Sequence, residues 1–263
     1  MLFVADVFGR PGRRALKWGI ELRRAIAAPD LLVVNGENAA GGFGITPEIA
    51  REIFGLGAHV ITSGNHIWDK REVYDLLDAE PRLLRPDNYP RENPGGGVWT
   101  GAVRGVTCAV LNLQGRVFMR EIDCPFHRLD SLLEEPAVRD AKIVIVDFHA
   151  EATAEKIAMG RYADGRVTAV IGTHTHVPSA DPRVLPGGTA YTTDAGMTGP
   201  HGGVIGVEAA AAVERFLRQS PNRFTVASDD VRFQAISVEV DEGTGRARSI
   251  ERIDEPLRSG DDR

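Results

Sequence analysis

Short apolar runs rich in β-branched residues alternate with amphipathic segments along the first two thirds of the chain. Helical spacing covers residues 13 to 27, 46 to 56, 70 to 79 and 152 to 163. The apolar runs are LFVA (2 to 5), LLVV (31 to 34), HVIT (59 to 62), IVIV (143 to 146) and VTAVI (167 to 171). Strand, loop and helix repeated in this rhythm predict an α/β fold.

Two further segments predict antiparallel pairing. Residues 98 to 113 have the pattern of a hairpin, and residues 224 to 253 that of paired strands around Asp241. Such additions favour a two-sheet sandwich over one open parallel sheet. We expect a single domain over residues 1 to 254, with a cap-like insertion near 80 to 130 and a flexible tail from 255 to 263.

Charge and composition exclude several classes of protein. The net charge of -6 is spread along 263 residues, so it gives no extended surface for nucleic acid and no attraction to an anionic membrane. The first apolar run is broken by Asp6, and no run approaches the ~18 residues of a membrane span, so we expect a cytoplasmic protein. Cys108 and Cys124 form no CxxC pair, which disfavours a disulfide framework and a thiolate zinc site.

Residues of types that commonly bind metals follow the ends of the five apolar runs. The carboxyl ends of strands in an α/β sheet meet at one edge, so these side chains are expected to converge. In an extended segment, His174 and His176 would also point to the same side. Each residue alone could be a turn, a cap or a surface residue. The candidate ligands are Asp6, Glu37, Asn38, Asn65, His149, His174 and His176.

The chemistry of these candidates indicates which ions would bind. Carboxylate, amide oxygen and imidazole without thiolate suit Mn, Fe, Zn or Co, and argue against a calcium cage built only from oxygens. Seven candidates exceed what one tetrahedral site needs. Two ions bridged by one carboxylate would use them, and such pairs clamp phosphoryl oxygens and activate water.

The order of the motifs resembles that of the calcineurin-like metallophosphoesterase superfamily and, more narrowly, of bacterial YmdB-like phosphodiesterases. The resemblance implies a four-layer α/β fold of two mixed β-sheets flanked by helices. It also implies a dinuclear metal site that hydrolyses phosphodiesters, with 2',3'-cyclic nucleotides as the small-molecule substrate class. The matching segments are NGENAAGG (35 to 42), SGNHIWDK (63 to 70), NLQGR (112 to 116), DFHAEATAEKIAMG (147 to 160), GTHTHV (172 to 177) and DAGMTGP (194 to 200).

The resemblance, combined with the ligand chemistry, also assigns roles. Glu37 would bridge two divalent ions, for which we expect Fe or Mn, with Zn and Co as alternatives. His66 would act as the general acid that protonates the departing oxygen. The first ion would take Asp6, Glu37, Asn38 and His176, and the second Glu37, Asn65, His149 and His174.

One position departs from the wider superfamily, which usually opens with Asp-x-His. Here the segment is Asp6-Val7-Phe8, so Phe8 cannot be a ligand and is expected to form a wall beside the metals. Glu37 likewise stands where the superfamily usually has aspartate, and Asn38 after it could supply the missing ligand.

Two other functions compete with hydrolysis. A metal-dependent regulatory protein that binds a nucleotide with little turnover stays open as an alternative. A nucleotide-cofactor enzyme is disfavoured, because GGFG at 41 to 44 is not a GxGxxG fingerprint and no phosphate-binding P-loop occurs.

Residues that shape a base pocket are expected between 86 and 130. The oligomeric state stays open, and a homo-oligomer is one of the alternatives.

Overall fold

The computed structural model describes residues 1 to 221 and 223 to 258. The strands are β1 (Leu2–Val4), β2 (Asp6–Val7), β3 (Leu32–Asn35), β4 (Val60–Thr62), β5 (Val98–Val103), β6 (Val106–Gln114), β7 (Ile143–His149), β8 (Ala169–Thr173), β9 (Arg183–Val184), β10 (Ala190–Thr192), β11 (Met197–Pro200), β12 (Val231–Val240) and β13 (Ala247–Pro256). The helices are α1 (Gly9–Ala27), α2 (Pro47–Gly55), α3 (Tyr74–Ala79), α4 (Pro125–Glu134), α5 (Pro136–Arg139), α6 (Thr153–Ala163) and α7 (Ala209–Arg218), with short 3-10 helices at Asn65–Asp69 and Arg71–Val73.

Two mixed sheets carry the fold. The first has the order β2-β11-β12-β1-β3-β4, with β13 paired to β12, and the second has the order β5-β6-β7-β8-β10-β9. In the first sheet β1, β3 and β4 run parallel, and in the second β6, β7, β8 and β10 do. The carboxyl ends of these parallel strands therefore supply loops from both sheets. The predicted sandwich of two mixed sheets flanked by helices is confirmed.

Alternation along the strands separates the core into layers. In β1, the side chain of Phe3 packs between the sheets with Val110 and Ile145 of the second sheet. Its neighbours Leu2 and Val4 point the other way and pack under α1 and α2. Because successive side chains of a strand face opposite sides, both faces of this strand are buried, as the continuous apolar run LFVA requires.

Local sequence signals set the ends of several elements. The Thr46 hydroxyl accepts a hydrogen bond from the Ile49 N–H at 3.4 Å and caps α2, which begins at Pro47 within the helical segment predicted over 46 to 56. The predicted hairpin is β5 and β6, joined at Arg104 and Gly105. Both turn residues have positive φ, +50° and +84°, which matches the right-handed twist of paired strands.

The domain boundaries predicted from the sequence can be compared with these elements. Residues 80 to 130 contain the β5–β6 hairpin, which forms one edge of the second sheet. Whether the rest of this stretch acts as a cap stays a prediction. At the other end, β13 continues to Pro256, two residues beyond the predicted boundary at 254, and residues 259 to 263 of the predicted tail lie outside the described residues.

No helix of the described ranges has the length and apolar character needed to cross a bilayer. The longest, α1, has 19 residues but carries Arg13, Arg14 and Lys17 among them. Its buried face, which includes Leu16 and Ile20, packs on the first sheet.

Candidate metal centre

Loops at the carboxyl ends of both sheets bring all seven predicted ligands together. Glu37 and Asn38 follow β3, Asn65 follows β4, and His149 ends β7. Contacts of 3.0 to 3.8 Å connect the side chains into one cluster, through the pairs Asn38–His176, Asn38–Glu37, His149–Asn65, His174–His149, His149–Glu37 and His176–Asp6. Residues far apart in the sequence, from Asp6 to His176, thus share one site.

Glu37 lies in the middle of this cluster and is fully buried. Its Oε1 lies 3.0 Å from Nε2 of His149 and 3.4 Å from Nδ2 of Asn38. Its Oε2 accepts a hydrogen bond from the N–H of His66 at 3.2 Å. Burial opposes ionisation, but the charge and hydrogen bond of His149 lower the pKa of Glu37 to about 2. The carboxylate is therefore ionised and meets neighbours on two sides.

One side of the cluster is built from imidazole and carboxylate donors. Ligand atoms of Glu37, His149 and His174 all lie within 4.8 Å of one another. Nδ1 of His174 lies 3.0 Å from Nε2 of His149, so two ring nitrogens face the same point. Burial opposes a charge on His149, yet Glu37 raises its pKa to about 9, whereas burial and the charge of His149 lower the pKa of His174 to about 2. Ring nitrogens this close to each other and to a carboxylate can bind a cation in place of a proton.

The other side of the cluster contains an unpaired buried oxygen. Oδ1 of Asp6 is inaccessible to solvent and has no hydrogen-bond partner among the described residues, and burial raises the pKa of this carboxyl. Nε2 of His176 lies 3.8 Å from that oxygen and 3.0 Å from Nδ2 of Asn38. An Asn38 amide turned over would present its oxygen at the same place. An orphaned carboxylate oxygen beside an imidazole and an amide fits a divalent cation.

A chain of buried hydrogen bonds orients His149. Nδ1 of His149 lies 3.0 Å from the Thr173 hydroxyl, which donates to Oδ1 of Asp147 at 2.6 Å. Asn35 donates to the other oxygen of Asp147 at 3.0 Å. The chain fixes the ring so that Nε2 faces the cluster. Asp147 and Thr173 were not recognised from the sequence, although alternation in β7 places Asp147 on the same face as His149.

Backbone geometry corrects one step of the sequence argument. The prediction that an extended segment aligns His174 and His176 is wrong, because β8 ends at Thr173 and the two histidines have φ values of +98° and +65°. Such values are uncommon for residues with a side chain and cluster at functional sites. Asp194 holds this loop by accepting hydrogen bonds from the N–H and hydroxyl of Thr175, at 3.1 and 2.8 Å.

The ion pair behind this loop supports a prediction about stability. Nζ of Lys156 lies 2.6 Å from Oδ2 of Asp194, and both side chains are buried. Lys156→Met leaves the carboxylate without its cation, so the free energy of unfolding of the metal-free protein should fall by about 3 to 5 kcal/mol. Urea denaturation measures this loss, with Arg161→Met on the exposed face of α6 as the control. Equal stability of the two variants would contradict a structural role for the pair.

His66 lies beside the cluster, in the 3-10 helix that begins at Asn65. Its Nδ1 lies 2.8 Å from Oδ2 of Asp69, and its ring meets the edge of Phe43 at a centroid distance of 5.1 Å. The side chain is 29% exposed and borders two cavities. With Nδ1 engaged by Asp69, Nε2 is the ring nitrogen left for a substrate. Asp69 was not recognised from the sequence, although it follows His66 by one helical turn.

Phe8 lies where the sequence predicts it, as a wall of the site. Its ring is buried and meets the ring of His176 edge-on at 5.4 Å. It packs with Met197, Val207 and Ala212, which connects the wall to α7.

A substitution at Phe8 tests whether this wall is only structural. Phe8→Leu should keep the full metal content, because no donor atom is removed. The smaller side chain should lower the free energy of unfolding by roughly 1 to 2 kcal/mol. Metal analysis after gel filtration gives the first quantity and thermal unfolding the second. Loss of metal from Phe8→Leu would contradict this account of the metal ligands.

Comparisons with known proteins show the family of the chain. The family model for YmdB-like protein matches residues 2 to 253. A protein of Bacillus subtilis (strain 168) named 2',3'-cyclic-nucleotide 2'-phosphodiesterase is 46% identical over 253 residues, which are 96% of each chain.

Two solved structures are similar over nearly their whole length. A hypothetical protein from Thermus thermophilus superimposes with a TM-score of 0.92 at 43% identity, covering 98% of this chain and 99% of that one. A structure described as a novel phosphatase, from Mycoplasma pneumoniae, gives 0.91 at 34% identity, covering 97% and 92%. With the family model matched over almost all of its length, the chain belongs to the YmdB-like protein family.

Proposed function

We propose that this chain is a dinuclear metal-dependent phosphodiesterase that hydrolyses 2',3'-cyclic nucleotides. The observation that carries the proposal is the largely buried cluster of seven oxygen and nitrogen donors with the partly exposed His66 at its border. The name of the Bacillus subtilis relative supports the substrate class. Its identity of 46% over nearly the full length supports transfer of the activity to this chain.

We assign the donors to two sets that share Glu37. Asp6, Asn38 and His176 would hold one cation with that carboxylate, and Asn65, His149 and His174 would hold the other. Carboxylate, amide and imidazole donors favour Fe or Mn, with Zn and Co as alternatives. When bound, paired cations supply Lewis acidity, which withdraws charge from phosphoryl oxygens and lowers the pKa of water.

The residues of the chain supply orientation and proton transfer. Hydrolysis adds water to phosphorus and breaks the bond to one ribose oxygen, which needs a proton to leave as a hydroxyl. His66 is placed to give that proton from Nε2, because Asp69 holds Nδ1 at 2.8 Å. Asp69 thus acts as a positioning residue, and the product is a nucleoside monophosphate.

The experiment uses protein stripped of metal and reloaded with Mn²⁺ or Fe²⁺. Adenosine 2',3'-cyclic phosphate, adenosine 3',5'-cyclic phosphate and a linear dinucleotide are each supplied, and products are separated by chromatography. We expect metal-dependent conversion of the 2',3'-cyclic substrate to a monophosphate. Tight binding of that substrate by fully loaded protein without conversion would instead support the regulatory, binding-only alternative.

A further inference from the structure

A cavity of 530 Å³ opens directly over several of the predicted metal ligands. Glu37, Asn38 and His176 contribute to its lining, together with apolar side chains that include Phe43 and Phe216. This volume lies within the range of roughly 300 to 1,000 Å³ that is common for small-molecule sites. The cavity is thus continuous with the cluster that would hold the phosphate.

The backbone at Ile205, which lines this cavity, is strained. Ile205 has a φ of +45°, which is a genuine outlier for a β-branched residue. Its carbonyl oxygen lies 2.9 Å from Nδ1 of His176 and accepts the hydrogen bond that leaves Nε2 facing the site. Glycine would satisfy this backbone without strain, so the half-exposed isoleucine side chain has a separate role in the cavity wall.

Phe216 and Phe43 complete the apolar lining. Phe216 lies on α7 and is 73% exposed, and α7 is attached beside Phe8 through the buried Ala212. Phe43 lies against the ring of His66. Large apolar side chains exposed around a site with convergent polar groups mark a place where a ligand's apolar part binds.

We infer that this cavity binds the nucleobase of the substrate. Ile205 and Phe216 would contact the base and so favour a nucleotide over a sugar phosphate that lacks one. The inference rests on the proposed function, because it takes the phosphate to be held at the cluster. His66 borders the cavity, and the oxygen that His66 would protonate carries the nucleoside. The base can therefore reach this cavity, and its aromatic and apolar side chains can contact the faces of the base.

A second cavity on the other border of His66 offers the competing location. It measures 350 Å³ and is lined by Asn65, His174 and the loop of Phe118 and Arg120. Phe118 is 88% exposed. This cavity has one aromatic side chain and mostly polar neighbours, so it is less suited to an apolar ring. Phe118→Ala therefore serves as the matched control.

The test compares a nucleotide with the same phosphate lacking a base. Adenosine 2',3'-cyclic phosphate and methyl ribofuranoside 2',3'-cyclic phosphate are hydrolysed by metal-loaded wild type, Phe216→Ala and Phe118→Ala. We expect Phe216→Ala to lower the ratio of kcat/KM between the two substrates about tenfold, mainly through KM, as expected for a lost stacking contact. Phe118→Ala should keep the wild-type ratio. Ile205→Gly should also lower it.

A binding measurement separates failure of this inference from failure of the proposed function. Calorimetry compares adenosine 3'-phosphate with ribose 3-phosphate on the same metal-loaded proteins, whether or not they turn over substrate. If Phe216→Ala binds adenosine 3'-phosphate more weakly than the wild type does but binds ribose 3-phosphate equally well, the base site is supported even in the absence of hydrolysis. A fall in either ratio confined to Phe118→Ala, or no preference of the wild type for the nucleotide, would overturn the inference.

Discussion

Replacing His66 with alanine is expected to slow hydrolysis of a 2',3'-cyclic nucleotide by about 100- to 10,000-fold without loss of metal. His66 contributes its backbone N–H to Glu37 and its Nδ1 to Asp69, so its Nε2 stays available for the substrate. The seven donors of the cluster do not include its ring. Steady-state kinetics and metal analysis of the same preparation give both quantities.

The leaving group distinguishes an acid from an electrostatic clamp. A nitrophenyl phosphodiester releases an acidic phenol that needs little protonation, so His66→Ala should slow it much less. Asp69→Asn should lower kcat for the cyclic substrate and shift its pH profile, while metal content stays the same. Metal loss in His66→Ala would make His66 a ligand, and equal slowing of both substrates would make it a clamp on phosphate.

Replacing Glu37 with glutamine is expected to remove both cations and reduce activity to background. Glu37 is the carboxylate assigned to both sets of donors, because its Oε1 contacts His149 from one set and Asn38 from the other. Neutralising it removes negative charge from both positions in a buried site, where charge interactions are screened least. Metal per chain, measured by mass spectrometry after dialysis, reports the loss.

Asp6→Ala is the informative comparison for Glu37→Gln. Asp6 contacts His176, which contacts Asn38, and these three are assigned to one cation, so the loss of Asp6 should chiefly weaken that cation. Glu48→Gln on α2 serves as the control for removing a carboxylate, because Glu48 lies on the helix surface and outside the cluster. If Asp6→Ala lost both cations as fully as Glu37→Gln, Glu37 would not be the bridge.

Much of the fold follows from patterns that the chain carries locally. The runs LFVA, LLVV and IVIV form buried strands because both of their faces are covered, one by the other sheet and one by helices. Parallel strands share an edge, which explains why side chains after β3, β4, β7 and β8 meet. The ligand candidates could therefore be named from sequence, since each follows a predictable strand.

Other features depend on contacts between residues distant in sequence. Asp147, Thr173 and Asn35 form one hydrogen-bonded chain across two sheets, and no spacing in the sequence relates them. The positive φ values of His174 and His176 likewise depend on tertiary contacts, including those that Asp194 makes with Thr175 between them. Local propensity favours extended or helical backbone at histidine, so it cannot reveal this geometry.

The base pocket shows the same limit. Residues 86 to 130 were expected to shape it, and the loop of Phe118 lies in that range beside His66. We place the base instead in the larger cavity, whose apolar lining comes from Phe43, Ile205 and Phe216. These residues are far apart in sequence and meet through the position of α7, which is fixed by packing against Phe8 and not by a recognisable motif.

The number of metal ions that activity requires tests the central claim most directly. Metal-free protein is titrated with Mn²⁺ under anaerobic conditions, and bound metal per chain and hydrolysis of adenosine 2',3'-cyclic phosphate are measured at each step. The two sets of donors predict two ions per chain at saturation, with activity rising as the second ion binds. Full activity at one ion per chain, or undiminished activity in the presence of a strong chelator, would contradict the dinuclear site.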